Sequence, residues 1–320
     1  MKKIILSAFA LMLFYSCQND SSDATQIATA STAKTVAKRA CASDEVLKTQ
    51  LAEDPTLATR MNQIENFTKN AMLTGRIVNG KIQIPVIVNV LYRTAAENIS
   101  DAQIQSQIDI LNEDFNAQNA DFASVPELFS GIKANVGISF VLEGINRKAT
   151  NKTSWGTRDV MKNSKRGGLD PTSPTTKLNL WACTIGGGIL GYAQFPGGSS
   201  STDGVVIDSQ YFGVSGTENF PYNLGRTGTH EVGHWMNLRH IWGDANCGSD
   251  LVNDTPTHNG ANYGVPAYPH YSTCSGNPVE MTMNYMDYTD DRGMYMFSEG
   301  QKSRMAAIFL SGGSRASFRL

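Results

Sequence analysis

The eleven residues from His230 to His240 constrain this chain more than any other stretch, because they hold three of its five histidines. They read H-E-x-x-H-x-x-N-x-x-H, and on a helix His230 and His234 would project from the same face, one turn apart. Two imidazoles in that position can bind zinc, with Glu231 beside them as a general base. His240 lies too far round to share that face, so the helix must end near Asn237, since asparagine tolerates the left-handed conformation. The motif therefore predicts a helix, a sharp turn, and His240 returning to the same metal as its third ligand.

Composition excludes one class of partner and bounds the architecture. The chain has 320 residues, enough for one large domain or two smaller ones, and its hydrophobic fraction of 41% is ordinary for a globular protein. A formal net charge of −2 and a pI near 6.2 give no basic surplus, so we expect no nucleic-acid partner. The composition carries no signal for the oligomeric state. Five cysteines are an odd number, so at least one is unpaired or modified.

The first 17 residues indicate export. Lys2-Lys3 is a positively charged start, and the short apolar run from Ile4 to Tyr15 cannot span a bilayer as a mature helix. Ser16-Cys17 follows, and the whole stretch resembles a bacterial lipoprotein signal, which implies cleavage before Cys17 and lipidation of its thiol. The alternative is an ordinary secretory signal with an incidental cysteine. We expect an outer-membrane or cell-surface lipoprotein, or a protein secreted after processing, that meets the membrane only through its lipid anchor.

Hydrophobic periodicity and turn residues divide the rest of the chain. Residues 18–40 are small and polar and predict a flexible tether, whereas residues 241–297 are rich in Gly, Asn, Asp and Pro and predict loops. Helices are predicted over residues 44–74 with a break at Asp54-Pro55, 101–115 after a Ser100 cap, 224–237, and 298–310 after a Ser298 cap. Strands are predicted over residues 82–92, 136–142, 178–183, 189–195 and 204–208. This order favours an α/β or α+β layer arrangement.

A second element supplies a family resemblance. The zinc motif is followed by Trp242-Gly243-Asp244 and, further on, by Asn284-Tyr285-Met286-Asp287-Tyr288. Together these stretches resemble the metzincin metallopeptidases, and within them the pappalysin (ulilysin-like) family, over about residues 82–310. The resemblance implies an α+β zincin fold, with a twisted mixed sheet packed on an active-site helix and a backing helix. It also implies a loop-rich C-terminal subdomain with a Met-turn and a final helix. Most metzincins have glycine where this chain has Asn237.

The resemblance also assigns roles to two residues of the second element. Met286 corresponds to the Met-turn, an apolar floor under the three imidazoles that packs without ligating; a plain core methionine is the alternative. Tyr288 matches the family tyrosine near the zinc, which could donate a hydrogen bond to a developing oxyanion. The alternative for Tyr288 is a packed surface aromatic.

The cysteines separate by role. Cys247 and Cys274 match a family disulfide, and Cys183 at the end of a strand is expected to be a buried free thiol. Cys41 precedes the expected catalytic domain, and in related proenzymes a cysteine in such a context blocks the metal. We therefore predict a pro-segment over residues 41–75 with Cys41 as the zinc ligand of the latent form, followed by a catalytic domain over residues 76–320. The alternative for Cys41 is a spare linker thiol.

Three further expectations concern specificity, calcium and the remaining histidines. Acidic Asp290 and Asp291 follow the Met-turn, where the family builds a primed-side pocket, and would favour Arg or Lys after the scissile bond. With that preference, Gly75-Arg76 is a predicted self-cleavage point. Oxygen-rich residues after the zinc helix predict a structural calcium ion, for which a solvated turn is the alternative. The expected calcium ligands are Asp250, Asp254 and Thr255. The last two histidines, His258 and His270, lack ligand spacing and are expected at the surface.

The leading interpretation is a zinc endopeptidase acting on protein or peptide substrates and made as a latent precursor. The metal would polarise the scissile carbonyl and acidify a water, and Glu231 would take the water's proton and pass it to the departing amine. One alternative is a non-catalytic zinc-binding surface adhesin on a zincin scaffold, against which the intact Glu231 argues. Another is a zinc hydrolase of non-peptide amides.

Overall fold

The computed structural model describes residues 38–74 and 82–319. The signal sequence with Cys17, most of the predicted tether and the Gly75-Arg76 cleavage point lie outside the described residues. Within the described ranges, no helix combines the length and the apolar character that crossing a membrane requires. Residues 82–319 are called the core domain below.

A five-stranded mixed sheet forms the centre of the core domain. In chain order its strands are β1 (Ile82–Tyr92), β2 (Ile138–Ala149), β3 (Leu178–Cys183), β4 (Gly191–Ala193) and β5 (Val205–Asp208), and their spatial order is β2-β1-β3-β5-β4. All neighbours are parallel except β4 and β5. The nearly unbroken apolar run of β1 is buried, as expected for a strand covered on both faces. The short β4 lies at the edge of the sheet.

The strand predictions agree with the structure except at the second and fourth strands. β4 covers only Gly191–Ala193 of the predicted 189–195. β2 begins at Ile138 and ends at Ala149, rather than covering 136–142. Its second half, from Glu143 onward, is only partly buried and carries polar residues, so it lacks the apolar pattern on which the prediction relied. It is an edge strand, and its main-chain pairing with β1 continues to the end of both strands.

Helices pack against the sheet and against each other. They are α1 (Ser43–Glu53), α2 (Leu57–Leu73), α3 (Asp101–Phe115), the single turn α4 (Glu127–Ser130), α5 (Arg226–Trp235) and α6 (Glu299–Ala307). Ser100 caps α3 by accepting a hydrogen bond from Gln103, and Ser298 forms a capping box with Gln301 at α6, both as the sequence predicts. Phe115 at the end of α3 packs against Phe140 of β2 and against Phe297, which joins the sheet, α3 and the C-terminal part in one core.

Residues 241–297 contain little regular structure, as predicted, and are held by specific contacts. A disulfide joins Cys247 to Cys274. The prediction that His258 lies at the surface is wrong: its side chain is fully buried and its Nε2 accepts a hydrogen bond from the Met281 amide at 3.0 Å. His270 is partly exposed. The architecture is the α+β zincin arrangement that the sequence led us to expect.

Candidate active site

Helix α5 carries the first two histidines and Glu231 into the interior. It begins after Gly225, whose φ of 74° gives the chain a left-handed entry, and all ten of its residues are buried. The Nδ1 atoms of His230 and His234 lie 2.7 and 2.8 Å from the carbonyl oxygens of Tyr285 and Leu238. Burial lowers the pKa of both imidazoles, that of His234 to about 3, so both are neutral and donate from Nδ1. Their Nε2 atoms therefore carry free lone pairs.

The turn that the motif predicts lies at Asn237. Its φ is 74°, the left-handed conformation, and the Leu238 amide donates to the Gly233 carbonyl at 3.0 Å. The Asn237 carbonyl in turn accepts a hydrogen bond from Nε of buried Arg304 at 2.8 Å. This turn brings His240 back to the other two histidines, and Nδ1 of His240 is held by the Asp244 carboxylate.

The three histidines converge through their Nε2 atoms. Nε2 of His234 lies 3.2 Å from that of His230 and 3.1 Å from that of His240. Each Nδ1 faces an acceptor, so in each ring the Nε2 lone pair points into the cluster, and three such lone pairs repel unless a cation lies between them. The donor set of three neutral imidazoles with a nearby sulfur is one that zinc prefers. The residues present therefore fit a zinc ion.

Met286 supports this cluster from below. It is fully buried, and a Cβ atom added at Gly233 would lie 2.5 Å from its sulfur, so the glycine on α5 lets the methionine approach the helix. The Met286 carbonyl accepts from the Ile241 amide at 3.1 Å, which ties the Met-turn to the chain just after His240. Met286 is thus packed against α5, the helix that carries His230 and His234.

Residues 38–43, called the active-site arm, cross over the three histidines. The Leu190 amide donates to the Ala40 carbonyl at 2.9 Å and the Ala42 amide donates to the Gly191 carbonyl at 3.1 Å, so the arm lies parallel to edge strand β4. Cys41 is thereby held above the cluster: its sulfur and the three histidine nitrogens all lie within 4.8 Å of one another. Burial and the neighbouring Glu231 raise the pKa of the Cys41 thiol, whereas a cation in the cluster would favour its thiolate.

The arm also forms hydrogen bonds with the Glu231 carboxylate. Its Oε2 accepts hydrogen bonds from Oγ of Ser43 at 2.9 Å and from the Cys41 thiol at 3.3 Å. Burial raises the pKa of Glu231 to about 7, although these two hydrogen bonds oppose the shift. Oγ of Ser43 additionally accepts from the Ala193 amide of β4 at 2.9 Å. Ser43 therefore links the carboxylate to the sheet edge.

Tyr288 lies beside the cluster and contacts the arm through its hydroxyl. That oxygen accepts from the Cys41 amide at 3.2 Å and donates to the Cys41 carbonyl at 3.1 Å. The ring lies 4.9 Å from the His240 ring and 4.7 Å from the Trp242 ring, centroid to centroid. Burial raises the pKa of Tyr288, so the hydroxyl keeps its proton and is available as a donor.

Of the two acids after the Met-turn, Asp291 is engaged by Arg39 of the arm. Their side chains form an ion pair in which both partners are almost fully buried. The Arg39 guanidinium also donates to the Thr289 carbonyl at 3.2 Å and lies 4.7 Å from the Tyr222 ring centroid. The neighbouring Asp290 is 7% exposed, and burial raises its pKa. Arg292 is exposed, with its guanidinium over the Phe220 ring.

The residues expected to bind calcium lie in two separate hydrogen-bonded groups. The Asp250 carboxylate accepts from Oγ1 of Thr255 at 2.9 Å and from the Val252 amide. The Asp254 carboxylate accepts from Oγ of Ser298 at 2.7 Å and from the Gly300 amide, at the start of α6. Asp254 thus ties the loop to α6 while Asp250 organises its own turn.

Sequence reasoning did not assign Arg39, Ser43, Asp244 or Arg304 to the site. Arg39 and Ser43 stand two residues before and after Cys41, and a basic residue near a candidate switch cysteine was an available signal. The contacts themselves join residues 188 and 252 positions apart in the chain, which no local pattern reports. Asp244 belongs to the Trp242-Gly243-Asp244 stretch, where a carboxylate four residues after His240 is a recognisable partner for its Nδ1.

Comparisons with known proteins agree with this geometry. A family described as pregnancy-associated plasma protein-A (Peptidase_M43) matches residues 183–310. An extracellular metalloprotease of Pyricularia oryzae is 37% identical over 226 residues, covering 67% of this chain and 69% of the relative. One from Colletotrichum graminicola is 34% identical and covers 77% and 82% of the two chains.

Solved structures of metalloproteases are also similar to this chain. Mature mirolysin of Tannerella forsythia in complex with a cleaved peptide is 42% identical, with a TM-score of 0.73, covering 76% of this chain and 97% of that one. A promirolysin mutant from the same organism is 39% identical, with a TM-score of 0.81, covering 88% of this chain and 97% of that one. The similarity is thus longer with a pro-form than with a mature form.

Proposed function

Since this chain belongs to the pappalysin-like Peptidase_M43 family of extracellular metalloproteases, and is a zinc metalloprotease with a metzincin fold, we propose that it is an endopeptidase made as a latent precursor with Glu231 as general base. One observation carries the proposal. A buried carboxylate, three converging Nε2 atoms and the Cys41 sulfur meet at one point under edge strand β4. A catalytic centre and its blocking group are therefore present in the same chain.

The residues of this site divide the chemistry between them. A bound zinc ion would supply Lewis-acid polarisation of the scissile carbonyl and make water a stronger acid. Glu231, with a pKa near neutrality, can take a proton from water and return it to the departing amine. The Tyr288 hydroxyl, once it no longer contacts the Cys41 backbone, can donate to the oxyanion. A peptide substrate would lie along β4 where the arm now lies, pairing by main-chain hydrogen bonds.

Latency follows from what the arm covers. We assign residues 41–75 to a pro-segment and residues 76–320 to the catalytic domain. Cys41 would hold the fourth position at the metal, Ser43 occupies the Glu231 carboxylate and the Cys41 backbone occupies Tyr288. All three catalytic functions would thus be blocked by Cys41, its backbone and Ser43. Removal of the pro-segment would free them together.

The preference for Arg or Lys after the scissile bond gains a structural argument from Arg39. This side chain fills a buried pocket whose acid is Asp291 and whose wall is the Tyr222 ring. A pocket that accepts the guanidinium of the active-site arm can accept that of a substrate, and Asp290 adds a second acid at its rim. Profiling cleavage of a peptide library tests this preference, and an absence of basic residues after the cut would contradict it.

A lipid anchor and a bound calcium ion are two further proposals. Export is supported by relatives named as extracellular enzymes, and lipidation of Cys17 would add a surface anchor. Mass spectrometry of the membrane fraction tests the anchor.

A calcium ion on Asp250, Asp254 and Thr255 would fix the loop after the zinc site, and a calcium-dependent rise in melting temperature tests it.

Casein hydrolysis by the processed protein, with and without a zinc chelator, tests the central proposal. We expect hydrolysis that the chelator abolishes and that zinc restores, and loss of at least about a hundredfold in kcat for Glu231→Ala. Glu113→Ala, an exposed glutamate on α3, is the matched control. A zinc-loaded, folded protein that cleaves no protein substrate would favour the adhesin interpretation. Cleavage of small amides alone would favour the non-peptide hydrolase.

A further inference from the structure

Phe195 lies two residues beyond β4, beside the metal cluster. Its ring centroid is 5.4 Å from that of His234, and the side chain is 7% exposed. The apolar cluster to which it belongs draws all its other members from α1 and α2, outside the core domain. They are Leu47 and Leu57, which are buried, and Leu51 and Met61, which are partly buried. Phe195 is thus an aromatic side chain of the core domain that is covered by the pro-segment.

The pro-segment reaches this ring through a close approach at Gly197. A Cβ added there would lie 3.1 Å from Cδ1 of Ile64 and 3.7 Å from Cδ1 of Leu57. The Gly197 carbonyl accepts a hydrogen bond from Nε of Arg60 at 2.7 Å. Phe195 and the notch at Gly197 therefore form one surface, the Phe195 surface, that is shaped to receive aliphatic side chains.

Release of the pro-segment would expose this surface next to the catalytic centre. A large aromatic ring left open beside a metal ligand is more consistent with a binding role than with solvent exposure. The surface continues edge strand β4, where a substrate backbone is expected to pair. Its position along the cleft follows from the order of the arm: Arg39 in the acidic pocket, then Cys41 at the metal, then Ser43 and α1.

The Phe195 surface and the acidic pocket thus lie on opposite sides of the metal. We propose that Phe195 is the floor of an apolar subsite that binds a leucine- or methionine-like side chain of the substrate on the amino-terminal side of the scissile bond. This rests on the proposed function, in which the acidic pocket takes the residue after the bond. The enzyme would then recognise two features, one basic and one apolar, flanking the cleaved bond.

The occupants of the surface define the chemistry of the side chain. Leu47, Leu51, Leu57 and Met61 are flexible or branched aliphatic groups, and none carries a charge. The adjacent Gln194 offers its Oε1 to Gln50 of α1 at 3.1 Å, which leaves a neutral polar rim on one side. An acidic or basic side chain would lose hydration at the ring without gaining a partner there.

Peptides with a fixed Arg after the scissile bond test the subsite. A single Leu is moved through the four positions before the bond in an otherwise Ser- and Gly-based peptide, and an all-Ser peptide is the reference. The enzyme is the full-length precursor from which limited proteolysis has removed the pro-segment. At one position we expect Leu to raise kcat/KM by about tenfold over Ser, in the range of one apolar side chain in a pocket. In Phe195→Ser that ratio should fall towards one, and Phe195→Leu should restore most of it.

Each outcome decides between the possibilities. The variant Tyr271→Ser, at a 60% exposed aromatic outside the cleft, should keep the wild-type ratio. No preference for Leu at any position, or a Phe195→Ser variant with an unchanged ratio, would overturn the subsite. A loss of kcat that is equal for both peptides would assign Phe195 to the support of His234 instead, and would also overturn it. Failure of the wild-type enzyme to cleave any peptide would contradict the proposed function itself.

Discussion

The active-site arm and the helix pair α1–α2 follow each other in the chain but hold the core domain by different chemistry. The arm, residues 38–43, makes polar contacts with the groups to which we assign the reaction and its specificity: Asp291, the histidine cluster, Glu231 and Tyr288. The helix pair buries aliphatic side chains, and its ion pair with the core domain joins Glu65 to Arg304. The arm therefore contacts the proposed catalytic groups, whereas the helix pair attaches to the core domain.

From this difference we propose that latency and attachment are separate properties, the first carried by the arm and the second by the helix pair. Arm contacts are few, and each blocks a particular function, so a single substitution there should release activity. Helix contacts are spread over an apolar surface, where single changes contribute less and mainly weaken attachment. The following substitutions test that separation.

Cys41→Ala in the precursor should have the largest effect. It removes the sulfur that lies within 4.8 Å of the three histidine nitrogens, while the helix pair stays attached, so we expect peptide cleavage by the intact precursor to rise by about a hundredfold. Initial rates measure it, with electrophoresis to verify that the pro-segment is uncleaved. Cys183→Ala, at the other free cysteine among the described residues, is the control and should stay latent. A Cys41→Ala precursor as inactive as wild type would contradict the switch.

Arg39→Ala should have the next largest effect. It leaves Asp291 buried without its partner, and truncating one member of such a pair typically costs about 2–5 kcal/mol, part of which water entering the pocket would recover. We expect residual precursor activity to rise about tenfold, less than for Cys41→Ala because the sulfur stays in place. The residual activity of the Arg39→Lys precursor should lie between those of wild type and Arg39→Ala, since lysine keeps the charge but loses the hydrogen-bonding fork. Equal latency of all three precursors would remove the pocket from the mechanism of latency.

The same contrast separates what the sequence could predict from what it could not. Helix α5, the Asn237 turn, β1 and β3 rest on local signals, because spacing, capping and periodicity act over a few residues. The contacts of Arg39 and Ser43 join positions that are far apart in sequence, and only the tertiary structure brings them together. The pattern located Cys41 but could not show that its neighbours two residues away contact Asp291 and Glu231.

The loops after His240 show a second limit. His258 was expected at the surface because it lacks ligand spacing, yet it is buried between carboxylates, with its Nδ1 3.8 Å from Glu280 and 3.6 Å from Asp287. Loop residues carry no periodicity that distinguishes a buried polar side chain from an exposed one. What decides burial here is a set of polar partners supplied by other parts of the loop, such as Asn262, which bonds both carboxylates.

Glu65→Gln tests the attachment half of the comparison. The Glu65 carboxylate makes two hydrogen bonds to Arg304, at 3.0 and 2.6 Å, and glutamine can keep only one. We expect the precursor's free energy of unfolding in urea to fall by about 1 kcal/mol at pH 7, with latency unchanged while the chain is folded. Glu53→Gln, at an exposed glutamate of α1, should change neither quantity. Activity released by Glu65→Gln without unfolding would show that latency and attachment are coupled, for example through the Arg304 bond to Asn237.

The pH dependence of that same substitution should be the smallest effect. Burial raises the pKa of Glu65, but the hydrogen bonds and charge of Arg304 outweigh it and hold the pKa below the usual value. A group whose pKa is lowered on folding contributes stability above its unfolded pKa, about 4.3, and loses it as the pH falls through the lowered value. The difference in unfolding free energy between wild type and Glu65→Gln should therefore be full at pH 7 and shrink below pH 4. A difference that is constant from pH 7 to pH 3 would mean that glutamine is costly here for its packing rather than for its lost charge.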